Sequence, residues 1–289
     1  MVDLHTHSNI SDGDMSPALL VKQAVKQGLR AIALTDHDTI EGLESARTEA
    51  GKENFHFIPG IELSINWTGS KSTPGLGPGG EFHLLGLGIN SPSSGFIDAV
   101  GKLSRRREAR NREILERMHE LSIEATWEDL LAISGGHSMG RPHFANLLIK
   151  RKIVKNIRQA FARYLCVGMP LYVPKEGLVF EEAVALIRES GGIPVLAHPI
   201  SLYVAWGRLP DLIKLLKDMG LMGLEAWHPA TKPGPCSRLE SLGKTLGLYI
   251  TEGSDYHGSA RPDRKLGYSG KGRKIDDAIL EAIPELEKR

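Results

Sequence analysis

The chain has 289 residues, with 36 Lys and Arg against 35 Asp and Glu, so the near-neutral total of +1 points by itself to no class of charged partner. Hydrophobic residues make up 41% and charged residues 25%, the balance of a soluble globular protein with one large α/β domain or a domain carrying an insert. Cys166 and Cys236 form neither a disulfide framework nor a Cys-x-x-Cys site, no apolar run approaches the ~18 residues of a membrane span, and the start carries no secretory pattern, so a cytoplasmic protein is expected.

Residues 2–7 read as a strand that starts almost at once. Residues 17–27 carry Ala18, Val21 and Val25 at helical spacing behind Ser16-Pro17, a good cap and first-turn pair, and Gly28 ends the helix. A short buried strand follows at 31–34, then a helix at 39–50 and a strand at 57–62. Strands alternating with helices imply a mainly parallel sheet. Residues 69–80 are a flexible loop by composition, and they separate 61–67 from 82–89, which read as neighbouring strands.

From about residue 98 to 173 the alternation stops. Val100, Leu103, Ile114, Met118 and Leu121 mark one long amphipathic helix with a charged outer face, and shorter helices are expected at 127–134, 142–150 and 158–165. This stretch reads as a helical insert, residues 99–173, in a domain formed by 1–98 and 174–289. The alternation then resumes: helix 180–190, strand 193–197, helix 210–219, strand 223–227, helix 237–246 and strand 249–252.

Histidines and carboxylates recur at the expected strand ends. His5 and His7 close the first strand, with Asp12 in the loop beyond; Asp36, His37 and Asp38 close the second, and Glu62 the third. His83 follows the glycine-rich loop, and His198, Glu225, Asp255 and His257 accompany the late strands. In parallel barrels, sites are assembled at that edge. An extended strand repeats its side chains every two residues, so His5 and His7 share a face, as do Asp255 and His257. Imidazole with carboxylate and no thiolate suits Zn²⁺, Mn²⁺ or Fe²⁺. One such histidine would be ordinary; the succession makes a metal centre. His56, His119, His137 and His228 lack the setting and read as surface or packing residues. Asp36 and Asp38 read as hydrogen-bond partners of imidazoles, and Glu225 as either an outer partner or a structural carboxylate.

Taken together, Asp3-Leu-His-Thr-His-Ser8, Leu34-Thr-Asp-His-Asp38, Pro59-Gly-Ile-Glu62, His83, Ala197-His-Pro199 and Gly253-Ser-Asp-Tyr-His-Gly258 resemble the PHP (polymerase and histidinol phosphatase) superfamily, in order, from residue 3 to about 267. Gly140-Arg-Pro-His-Phe-Ala145 and Tyr172-Val-Pro-Lys175 are similar to its branch of nucleoside 3′,5′-bisphosphate phosphatases and 5′-to-3′ exoribonucleases. The resemblance implies a distorted (β/α)7 barrel with a helical insert and two or three divalent ions, Mn, Zn or Fe. His5, His7, Glu62 and Asp255 would hold the first ion. Glu62 would bridge to a second, completed by His83 and His198, and Asp12, His37 and His257 would hold the third. Asp12 stands where some relatives carry His, and the 69–80 loop is longer than the resemblance leads one to expect.

A metal-activated water can serve as nucleophile at such a centre, so no catalytic residue separate from the metal ligands is expected. The expected substrate is a nucleotide or short oligonucleotide. Competing readings are a small non-nucleotide ester such as histidinol phosphate, amide hydrolysis, or a non-catalytic metal-stabilised module. Residues 102–175 hold 15 Lys and Arg against 7 Asp and Glu, and the rest of the chain 21 against 28. Arg105, Arg106, Arg107, Arg110 and Arg112 sit beside Glu108, Glu113 and Glu116, which fits a solvated helix face. Otherwise the insert presents cations to a polyanion. Arg141 is the leading candidate, since a guanidinium can grip a second phosphate with two hydrogen bonds. His143 and Lys175 follow by resemblance.

Overall fold

A computed structural model describes the chain except residues 68, 70–74, 135–138 and 288–289. His137 and part of the 69–80 loop therefore lie outside the described residues. The early elements are β1 (Val2–Asp3), α1 (Pro17–Lys26), β2 (Ala31–Leu34), α2 (Leu43–Lys52), β3 (His56–Asn66) and β4 (His83–Leu87). Ser16 caps α1 by accepting the Leu19 N–H, with Pro17 in the first turn. The two strands expected at 57–62 and 61–67 are one continuous strand, β3.

After β4 come α3 (Ser94–Glu120), α4 (Trp127–Ser134), α5 (Arg141–Lys150) and α6 (Ile157–Ala160), the last running into a π-turn at Phe161–Leu165. Then follow β5 (Leu178–Val179), α7 (Phe180–Glu189), β6 (Ile193–Leu196), a 3-10 turn at Pro199–Leu202, α8 (Leu209–Asp218), β7 (Gly223–Trp227), α9 (Pro233–Thr245) and β8 (Tyr249–Glu252). No described helix is long and apolar enough to cross a membrane.

The main sheet runs β1-β2-β3-β4-β6-β7-β8, with β5 beside β3. A parallel bridge between Thr6 and Tyr256, with the His7 N–H donating to the Tyr256 carbonyl at 2.9 Å, brings its two ends together into a nearly closed barrel. The pairs are parallel except at β4, which runs antiparallel to β3 and to β6. A parallel partner needs a crossover of a dozen or more residues, usually a helix, whereas antiparallel neighbours do not. The reversal matters: it puts His83, the first residue of β4, at the rim where the parallel strands end.

The long helix α3 belongs to two hydrophobic clusters. Phe96, Ala99, Val100 and Leu103 pack with the barrel helices, while Ile114, Leu115 and Met118 pack with α4 and α5 through Leu130, Phe144 and Leu147. Its basic middle lies between the two. At the far end of the chain Ile275, Leu280, Ile283 and Leu286 cover Val2, Leu85 and Ile193. Phe144 is fully buried in the helical cluster. Phe144→Ala should lower stability by about 3–5 kcal/mol, the usual cost of emptying an aromatic site in a core. Urea unfolding followed by circular dichroism checks this, and a loss under about 1 kcal/mol would mean that the helical segment is loosely packed.

Candidate metal centre

Glu62 is almost completely buried in β3, and the imidazoles converge on it. Its Oε1 lies 2.9 Å from His83 Nδ1 and 2.8 Å from His198 Nε2. Its Oε2 lies 3.0 Å from His37 Nδ1, 3.3 Å from His7 Nε2 and 3.4 Å from His5 Nε2. Asp255 Oδ1 is 3.3 Å from His7 Nε2 and 3.6 Å from His5 Nε2. Asp12 lies 3.2 Å from His257 Nε2 and 3.8 Å from His37 Nε2. All nine residues singled out by sequence thus meet at one rim, in overlapping groups with donor atoms within 4.8 Å of one another.

The electrostatics of this cluster call for cations. Burial pushes the carboxyl groups of Glu62, Asp255 and Asp12 upward, but the surrounding imidazoles outweigh it and hold all three well below the usual range. His37 moves the other way: burial drives it down to about 3. The buried Nδ1 atoms of His37 and His83 make no hydrogen bond among the described residues, although each is within 3.0 Å of a Glu62 oxygen. His5 Nε2 and His7 Nε2 face each other at 3.1 Å, a spacing that fits two ligands of one ion with bonds of about 2.0–2.1 Å. Burial pushes His5, His7 and His198 down, but the carboxylates of Glu62, Asp255 and Glu225 around them outweigh it and raise all three. The crowded anionic donors thus call for positive charge, which a divalent metal would supply.

Surrounding groups set which ring nitrogen faces inward. His5 Nδ1 lies 2.9 Å from Glu225 Oε1, whose other oxygen accepts the His198 N–H at 2.6 Å. Glu225 is therefore an outer partner, resolving the alternatives left by the sequence. His198 Nδ1 bonds Ser201 Oγ at 2.8 Å, and His257 Nδ1 lies 2.8 Å from the Asp255 carbonyl. In each case Nε2 is left for the centre. Asp255 and His198 adopt φ of +50° and +26°, so the expected extended Asp255-Tyr-His257 segment is instead a left-handed kink beyond the end of β8.

Other expectations are corrected. Asp36 bonds no imidazole; it accepts from the Ser8 N–H at 2.8 Å and from the Ser8 and Ser11 hydroxyls at 2.6 Å each, tying down the loop that carries Asp12. Asp38 turns away from the centre, accepts the Ser64 N–H at 2.7 Å, and pairs with Arg107 and with Lys175. His228 is not an ordinary packing residue: its Nε2 is 3.1 Å from Asp255 Oδ2, which also accepts Arg264 Nη1 at 3.0 Å. His119 packs as expected, its Nε2 2.6 Å from the Ala125 carbonyl, and His56 is buried in β3.

A cleft of about 480 Å³ opens over the centre, between the barrel rim and the helical segment. Arg141 and Lys175 line it. Arg141 Nη2 is held by Glu81 Oε1 at 2.5 Å, and Lys175 Nζ lies 3.3 Å from Asp38 Oδ2. His143 is buried, is not part of the lining, and accepts the Gly140 N–H on Nδ1 at 3.0 Å. Sequence reasoning missed Arg107, Arg110 and Arg264, which also line the cleft. A solvated face was one of two readings of Arg107 and Arg110, and Leu103, Arg107, Arg110 and Ile114 instead form one inward stripe at helical spacing. Arg110 is buried, its Nε has no hydrogen-bond partner among the described residues, and burial beside Arg107 and Arg141 lowers it to about 10.

The profile of the PHP domain family matches residues 3–169. The chain belongs to the PHP domain family. It is 32% identical over 259 residues to the 5′-3′ exoribonuclease Rnm of Salmonella typhimurium, covering 88% of this chain and 84% of that protein. It is 28% identical to the 3′,5′-nucleoside bisphosphate phosphatase of Chromobacterium violaceum, covering 93% and 91%. The solved structure of a Bifidobacterium adolescentis protein classed as a metal-dependent phosphoesterase superposes with a TM-score of 0.81 at 26% identity, covering 98% of this chain and 96% of that one. This PHP protein is accordingly a hydrolase of phosphoric esters with a divalent-metal centre.

Glu62→Gln keeps the volume and removes the charge on which the imidazoles converge. It should lose most bound divalent metal and at least about 10²-fold in rate, beyond the 10–100-fold typical of an outer partner. Elemental analysis with a rate measurement checks this; full occupancy and a normal rate would refute a central role for Glu62.

Proposed function

We propose that this PHP protein releases phosphate from nucleotides, foremost nucleoside 3′,5′-bisphosphates, and acts on short RNA 5′ ends. The observation that carries this is the basic wall of the cleft. Arg107, Arg110, Arg141 and Lys175 stand over a cluster of anionic and imidazole donors, while Asp38 and Glu81 are the carboxylates paired with that wall among the described residues. The surplus of positive charge suits a second phosphate, which a substrate with one phosphate lacks. The names of the exoribonuclease and bisphosphatase relatives support the same reading. On this reading residues 1–98 and 174–289 form the catalytic barrel, and 99–173 a cap.

His5, His7, Glu62 and Asp255 would hold one ion, Glu62, His83 and His198 a second, and Asp12, His37 and His257 a third. Bound divalent ions polarise a phosphoryl oxygen and lower the pKa of water, which supplies a nucleophile at neutral pH. The protein's own groups do the rest. Glu225, Ser201 and the Asp255 carbonyl orient imidazoles, Arg264 and His228 hold Asp255, and the basic wall binds and orients the substrate's remote phosphate. A histidinol-phosphate-like ester would leave that wall unused.

Arg141→Ala should raise KM for adenosine 3′,5′-bisphosphate by about tenfold or more and leave an aryl phosphate nearly unchanged, because only the bisphosphate reaches the wall. Equal losses on both substrates would indicate a damaged fold or metal centre, and no loss on either would reduce Arg141 to the partner of Glu81. Exhaustive chelation should abolish phosphate release and Mn²⁺ should restore it. Activity in protein shown by elemental analysis to be metal-free would overturn the assignment.

A further inference from the structure

We propose that Tyr203 is the platform on which the substrate's nucleobase stacks, an inference that rests on the nucleotide reading above and names what recognises the base. Tyr203 is 79% exposed, the most exposed large hydrophobic side chain among the described residues, and it lines the cleft that holds the metal centre. Packing does not account for an aromatic ring left in water at that place. Exposed apolar surface in a cleft marks ligand contact more readily than core.

The backbone is arranged for it. Tyr203 follows the 3-10 turn Pro199–Leu202 with φ +50° and ψ +37°, a left-handed conformation that is strained for a bulky residue. The same turn carries Ser201, which orients His198. One short segment thus aims an imidazole into the centre and throws a ring out to the mouth.

The Gly/Pro-rich loop underneath supplies a seat. The Gly79 and Gly80 N–H groups both donate to the Leu202 carbonyl, at 2.8 and 3.0 Å. A Cβ on Gly80 would overlap the Ser201 carbonyl and the Tyr203 ring, so only glycine lets the loop lie against the turn. Trp67 Nε1 donates to the Leu76 carbonyl at 3.1 Å and Arg208 to the Gly75 carbonyl at 2.8 Å, which pins the loop in turn. The ring is backed on one side and open on the other. On the cap side, Phe161 lines the cleft with the Arg141 guanidinium 5.9 Å from its ring centroid. Cations for phosphates and aromatic faces for a base thus share one cleft. Stacking accepts any base because every base has a π-face, so this platform separates nucleotides from sugar phosphates and does not choose among bases.

Calorimetric titration of the Mn²⁺-loaded full chain with adenosine 5′-monophosphate and with ribose 5-phosphate, each checked for phosphate release during the run, tests this. The wild type should bind the nucleotide about tenfold or more tighter than the sugar phosphate, the range expected of one base–aromatic stack. Tyr203→Ala should erase that preference and Tyr203→Phe should keep it, with ribose 5-phosphate affinity the same in all three. Turnover of adenosine 3′,5′-bisphosphate should show the loss in KM and little change in kcat. Equal binding of the two ligands by the wild type, or a preference that survives Tyr203→Ala, would overturn the proposal. So would loss in Tyr203→Phe, which would implicate the hydroxyl, and so would a matching drop in ribose 5-phosphate affinity, which would make Tyr203 a prop for the His198 turn. Base-dependent binding that persists while no nucleotide releases phosphate would instead refute the function proposed above and leave the platform standing.

Discussion

Glu62 is a carboxylate taken out of water and surrounded by His5, His7, His37, His83 and His198, and the rest of the barrel rim is organised around that fact. A buried carboxylate is costly unless opposite charge and hydrogen bonds repay it. Here the ring nitrogens come from the segments just beyond β1, β2 and β6 and from the start of β4, so the compensation is spread over the barrel. Were β4 parallel to its neighbours, its first residue would lie at the opposite rim and His83 would be lost to the site. The antiparallel return delivers it.

Residues Asp36, His37 and Asp38 couple this centre to two other parts of the molecule. Asp36 ties the loop bearing Asp12, His37 enters the centre, and Asp38, at φ +53°, turns outward to Arg107, Lys175 and the Ser64 backbone. Burial raises the Asp38 carboxyl, but Lys175 and Arg107 outweigh it and hold it below its usual range, so the pair stays ionised. Three consecutive side chains therefore set the position of the Asp12 loop, the centre and the seat of the helical segment. An ion pair this deep costs desolvation and is weak evidence for stability. Its use here is positional: it fixes the inner face of α3 over the cleft.

Much of this was legible in the sequence because period-2 spacing and strand ends are local properties. His5-Thr-His7, the Asp-His-Asp triplet, and Glu62 in its strand announced themselves through residue type and position, and the nine candidates do converge. What was illegible depended on contacts between distant segments. His228 looked ordinary because its partners, Asp255 and Arg264, lie 27 and 36 residues on. Arg107 and Arg110 sat among acidic neighbours that fit helix pairs, and only the stripe through Leu103 and Ile114 marked them as inward. The kink at Asp255 left no signature, since an aspartate in a left-handed conformation is chosen by its surroundings. The glycines of the 69–80 loop read as flexibility, whereas Gly80 is required by close approach to the Ser201–Tyr203 turn.

The separation of charge along the chain follows from the two tasks of the cleft. The barrel rim gathers Glu62, Asp12 and Asp255, and a phosphate cannot approach three carboxylates unless divalent charge offsets them. Guanidinium groups placed among those carboxylates would pair with them and displace the ions, as Arg264 does harmlessly from the outer side of Asp255. Permanent cations must therefore stand off from the ligands, and the helical segment provides the distance. Of the wall, Arg107 and Arg110 are set on α3, a helix that packs in both hydrophobic clusters and so ties that part of the wall to the rim. Even there the cations nearest the rim are restrained, Arg141 by Glu81 and Arg107 with Lys175 by Asp38, which leaves Arg110 as the buried charge whose Nε is still unsatisfied. On the proposed reading, a second phosphate met by the wall of Arg107, Arg110, Arg141 and Lys175 is the group that distinguishes a bisphosphate from any ester with a single phosphate.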